Sequence, residues 1–95
     1  MTNAINPRSP DFNSYESYVA WRAEWRSHYK TASQMIRDTR TEIRQAYRDG
    51  DQDQASRLQS LLHYQRRRAN ELMQARTAAT ELMREQRSLA LAQAA

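Results

Sequence analysis

From Tyr15 onward the apolar residues recur at steps of three and four. The series Tyr15, Tyr18, Arg22, Trp25, Tyr29, Ala32, Ile36, Thr39, Ile43 and Ala46 forms one stripe, with Val19, Met35 and Tyr47 beside it. That spacing marks an amphipathic helix packing lengthwise on another helix. Asn13 is a candidate N-cap, with Glu16 at the capping-box distance, so the first helix is predicted over 13–49. A second stripe runs through Ala55, Leu58, Leu61, Leu62, Ala69, Leu72, Met73, Ala79, Leu82, Met83 and Leu89, interrupted by Gln65, Arg76 and Gln86. It predicts a second helix over 52–91. Between them the only glycine, Gly50, suits a left-handed C′ position. Asp51 can cap the following helix, with Gln54 three residues on, so 49–51 reads as a tight turn.

The expected architecture is all-α: a long, antiparallel, coiled-coil-like helical hairpin. Its helices would be roughly 54 and 58 Å long at 1.5 Å per residue. Folding about Gly50 and Asp51 sets Ile43 level with Leu58, Tyr29 with Leu72, Tyr18 with Met83 and Trp25 with Arg76, the last a cation–π contact. Residues 1–12, which hold both prolines and no periodicity, read as a flexible or loosely docked arm, and 93–95 as a frayed tail. The apolar band is wider than one seam needs. Val19, Trp21, Met35, Tyr47, Leu61, Tyr64, Met73 and Leu82 border it, and pairing two hairpins into a four-helix bundle would cover them. A homodimer is the expected resting state.

Composition narrows the chemistry. The chain has 95 residues, a mean hydropathy of −1.05 and no cysteine. Disulfides, thiolate nucleophiles and cysteine-held metals are therefore excluded. No apolar run is long enough to span a bilayer, and the first ten residues lack the apolar core of a secretory signal, so a cytoplasmic location is the default expectation. His28 and His63 stand far apart. Glu24 with His28, and Ser60 with His63, share helix faces, and the hairpin register sets His63 level with Asp38, but a two-helix rod offers no oxyanion pocket and no cleft to exclude water. No catalytic residue, metal or cofactor is assigned, and enzyme activity is not expected.

The net charge is +4, and every cation but Lys30 is arginine. Arginine presents a planar fork of donors matched to phosphate and carboxylate. On the first helix Arg22, Arg26, Lys30, Arg37, Arg40, Arg44 and Arg48 follow one flank. Of these, Arg37, Arg40, Arg44 and Arg48, together with Arg66, Arg67 and Arg68, are the candidate contacts to phosphate or an acidic partner. Aromatic residues crowd the start of the first helix, and Tyr18, Trp21, Trp25 and Tyr47 are the candidate protein contacts, Trp21 as the external anchor and Trp25 in the core. The pattern points to a non-catalytic protein-binding module. It would be a small adaptor or inhibitor, comparable in size and style to the antagonists phages direct at host enzymes, docking a helical face on a larger protein or nucleoprotein. Two alternatives are a nucleic-acid binder laying the arginine flank on phosphates, and a structural oligomer or scaffold piece.

Overall fold

A computed structural model describes residues 5–94. Two helices account for nearly all of them: α1, Tyr15–Arg48, and α2, Gln52–Ala94. They lie side by side as an antiparallel hairpin measuring 68 × 30 × 14 Å. The thin dimension is set by a single layer of helices. Each broad face of such a plate meets solvent, so only seam residues can be fully covered by the partner helix.

The turn follows from one backbone angle. Gly50 has φ +68°, a conformation that glycine adopts without the steric penalty other residues meet. The Asp51 N–H donates to the Ala46 carbonyl (2.9 Å) and the Gly50 N–H to the Tyr47 carbonyl (3.1 Å). These two bonds make a Schellman motif and satisfy carbonyls that the end of α1 would leave orphaned. The Gln54 N–H then donates to Asp51 Oδ1 (3.0 Å), capping α2 as expected.

The start of α1 differs from expectation by one register. Ser14, not Asn13, is the N-cap, and Ser17 takes the place proposed for Glu16. The Ser17 N–H donates to Ser14 Oγ (3.1 Å), and the Ser14 N–H to Ser17 Oγ (3.0 Å). The chain preceding the cap must turn to seat Phe12 against Tyr18, ring centroids 5.1 Å apart. The helices are also less equal than the stripe implied, at 34 and 43 residues. The end of α2, which runs to Ala94, projects past the start of α1, leaving Leu89 and Leu91 exposed.

The arm is seated more closely than its aperiodic sequence implied. Positions 1–4 and 95 lie outside the described residues. Residues 5–12, read from sequence as a flexible or loosely docked arm, lie against the hairpin. Pro7 and Phe12 are buried, and Arg8 reaches Glu71 of α2 (3.5 Å). The arm is held by the indole of Trp21, whose N–H donates to the carbonyls of Asn6 (2.9 Å) and Ser9 (3.2 Å). Buried indole N–H groups need such partners, and an irregular segment has free carbonyls to offer.

The core falls into two clusters. One, away from the turn, gathers Phe12, Trp21, Trp25, Leu72, Ala75 and Ala79, with Tyr18, Tyr29 and Met83 against them. The other, near the turn, joins Ile43 and Ala46 to Ala55, Leu58 and Leu62. Ile43 with Leu58, Tyr29 with Leu72 and Tyr18 with Met83 fall in the same clusters, in line with the expected register, whereas Phe12, Trp21 and Ala75 join the first cluster from outside the expected stripes. Two polar side chains are buried in the seam: Thr39, within the turn-side cluster between Ile36 and Ile43, and Gln65, between the clusters. Tyr15 and Leu61, placed in the stripes from sequence, are exposed, because a two-helix seam is narrower than the band of apolar residues available to it.

Candidate functional site

Helical spacing sorts the side chains of the plate onto two faces of opposite character. On one, Pro7 and Arg8 lie beside Ser27, His28 and Thr31, and Ile5, Asn6 and Ser9 beside Ser17, Ala20 and Trp21. Next to the arm, towards the turn, is an open groove of about 300 Å³ bordered by Ala32, Met35, Leu61, Tyr64, Gln65 and Arg68. Met35 is 48% exposed and Tyr64 51%. The Arg68 guanidinium lies over the Tyr64 ring at 5.6 Å from its centroid and donates to its hydroxyl (2.8 Å). Gln65 is only 7% exposed, yet its Oε1 has no hydrogen-bond partner among the described residues. A buried carbonyl left unpaired costs about 1–3 kcal/mol.

The other face carries the cations of α1. Arg22, Arg26 and Lys30 stand four residues apart, as do Arg40, Arg44 and Arg48, and Arg37 leads into the second set. Steps of three and four join them all through Ser33 into one ladder, about 39 Å from end to end at 1.5 Å per residue. Of the four acids of α1, Glu16 stands in the first turn, ahead of the ladder, and the other three lie elsewhere. Glu24, Asp38 and Glu42 connect by the same steps to His28, Thr31 and Met35, which line the arm face. Two ion pairs occur among the described residues, Arg8–Glu71 and His28–Glu24, so no ladder cation has a described carboxylate within 4.0 Å. Like charges at i, i+4 destabilise a helix by about 0.2–0.5 kcal/mol per pair, and the ladder contains four such pairs. Its internal contacts are to neutral groups: Arg37 Nη2 donates to Gln34 Oε1 (2.9 Å) and Arg44 Nη2 to Thr41 Oγ1 (3.3 Å).

At the upper end of the ladder, two arginines share one aromatic ring. Arg22 of α1 lies 5.2 Å from the Trp25 centroid and Arg76 of α2 lies 5.4 Å from it. Tyr29 stacks on the same indole at 5.0 Å with planes 7° apart, and the Trp25 N–H donates to the Leu72 carbonyl (2.6 Å). Trp25 is thus the tie between the helices, and its pairing with Arg76 agrees with the sequence register.

The sequence-derived residues are distributed unevenly over these surfaces. Trp21, expected as an external anchor, is the most deeply buried large side chain at 2% exposure. Its position one step off the seam does not face solvent, because the arm covers it, and Phe12 packs on its ring at 5.9 Å. Tyr18 is half-buried in the same cluster. Of the four proposed protein contacts only Tyr47, at 58%, is exposed. The consecutive residues Arg66, Arg67 and Arg68 diverge as helix geometry requires, about 100° per residue. Arg66 and Arg67 border a groove with Tyr29, Ile36 and Met73 on the ladder side, whereas Arg68 belongs to the arm face. Arg84 and Arg87 were not singled out in the sequence, and they border a further groove with Tyr15 at the start of α1.

His28 Nε2 and Glu24 Oε1 are 3.1 Å apart, both side chains about half exposed, and among the described residues no three metal-ligating side chains cluster. No helix among the described residues is long and apolar enough to cross a membrane. No protein-family model matches the chain, and no match was found among curated proteins or among solved structures.

Proposed function

We propose that this chain is a non-catalytic protein-binding module, an adaptor or small inhibitor, that docks the arm face of the hairpin on a larger protein. The observation that carries this reading is the groove flanked by Met35, Leu61 and Tyr64, where large apolar side chains remain exposed around a buried Gln65 carbonyl with no partner among the described residues. A partner inserting an apolar side chain with a nearby donor would cover the first and satisfy the second. The mixed border of Tyr, Met, Leu and Arg suits such an interface.

Pairing of two hairpins into a four-helix bundle would use the same groove. In this reading the free protein is a homodimer that exchanges its second copy for the partner. Affinity purification with mass spectrometry, repeated after nuclease treatment, is the test. A stoichiometric protein partner that survives nuclease and is lost on Leu61→Arg or Met35→Glu is the expected result. Failure to recover any such partner, or recovery undiminished by both substitutions, refutes the reading. Sedimentation of the free protein tests the dimer: a monomer at about 50 μM with full helicity rules it out.

A further inference from the structure

The cation ladder faces away from the arm-face groove and plays no part in the reading above. We propose that it is a binding surface for the phosphate backbone of double-stranded nucleic acid, so that the hairpin can hold a nucleic acid on one face while docking a protein on the other. Four observations support this assignment. The cations of α1 are segregated from three of its four acids, Glu24, Asp38 and Glu42, which lie on the opposite flank, while Glu16 stands in the first turn ahead of the ladder. They form i, i+4 sets of like charge, Arg22 to Lys30 and Arg40 to Arg48, and no carboxylate among the described residues comes within 4.0 Å of them. A polyanion relieves their mutual repulsion directly. The row is carried on a single helix, so the backbone positions of its cations are already aligned before binding. Its length of about 39 Å is comparable to one duplex turn of about 34–36 Å.

The choice of a duplex over a single strand rests on the aromatic residues. Single-strand binders stack successive bases on exposed aromatic platforms. Along the ladder the rings of Trp25 and Tyr29 are stacked on each other and held in the core cluster, and the exposed tyrosines, Tyr15 and Tyr47, lie at its two extremes. Backbone charge is therefore what the surface is equipped to meet, and binding would not discriminate base sequence.

The test is binding of the full chain to a mixed-sequence duplex of about 24 base pairs across a salt series, with far-UV circular dichroism to confirm that each variant is folded. Three cations are removed from the ladder in R40Q/R44Q/R48Q. Three are removed from the arm side in R8Q/R57Q/R68Q, Arg57 sharing the helix face of Leu61, Tyr64 and Arg68 by steps of three and four, so both variants carry the same net charge. The expected result is a log–log salt slope about 2.7 shallower for the ladder variant, because each neutralised phosphate contributes roughly 0.9 to the slope. The ladder variant should also bind at least about tenfold more weakly near 100 mM salt, and the slope of the control should change by less than about 0.9. Equal weakening of the two variants would show that net charge alone is at work and overturns the proposal. So does absence of duplex binding near 50 mM salt, tighter binding of a single strand of equal length, or displacement by polyglutamate as effective as by duplex at equal charge, which would assign the ladder to an acidic protein. Because the ladder and the groove are on opposite faces, failure here leaves the protein-docking reading standing, and the reverse holds.

Discussion

Replacing Gly50 with alanine isolates the contribution of the turn. A Cβ at this position meets no atom within 4 Å, so the substitution introduces no clash. What remains is conformational. Holding an L-residue at φ +68° costs about 1–2 kcal/mol. Against this, alanine lowers the entropy of the unfolded chain, which returns about 0.4–1 kcal/mol. The net expectation is a destabilisation of about 1 kcal/mol, or about 4–8 °C in Tm for a domain of this size. Urea unfolding followed at 222 nm measures it, with the m-value unchanged. Gly50→Asn should lose less, since asparagine tolerates the left-handed region. The decisive comparison is a semisynthetic protein carrying D-alanine at position 50, which should be at least as stable as the parent. If the two alanine enantiomers destabilise the hairpin equally, or the L-variant loses more than about 3 kcal/mol, the attribution to positive φ is wrong.

Three further outcomes follow from particular contacts. Phe12→Ala should release the arm from Trp21, seen as a red shift of tryptophan emission in a Trp25→Phe background with helicity retained; an unshifted spectrum would show that the arm does not shield the indole. Gln65→Leu should stabilise the free protein by about 1–2 kcal/mol, because it replaces an unpartnered buried carbonyl with apolar surface, and an unchanged or lower urea midpoint contradicts that account. Ser14→Ala should cost about 1 kcal/mol through loss of the N-cap, measured by thermal unfolding, whereas Asn13→Ala should leave stability within about 0.5 kcal/mol.

The arm face and the ladder face place different demands on the chain. Exposed Met35, Leu61 and Tyr64 are a liability in a free monomer, and like charges along α1 cost helix stability. Both surfaces lie on the outside of a two-helix plate, where neither substitution to neutral polar residues nor burial is prevented by the fold.

Much of this structure was legible in the sequence. Apolar residues at steps of three and four gave both helices, and Gly50 flanked by Asp49 and Asp51 gave the bend. Once the bend was placed, helix rise alone set Ile43 beside Leu58 and Trp25 beside Arg76. The alignment of the α1 cations was equally accessible, because helix periodicity is local and each residue's face depends only on its number. The position of the arm was not legible in the same way. Residues 5–12 carry no period, and their contacts reach Trp21 across 12 and 15 residues and Glu71 across many more. Such contacts depend on which carbonyls and rings happen to meet once the hairpin has formed. That tertiary fact moved Trp21 from surface to core, and with it the candidate protein contact from the aromatic end of the rod to the groove at Met35, Leu61 and Tyr64. The sequence by itself determined which residues share a helix face; the packing of an aperiodic segment decided which of those faces remain open to a partner.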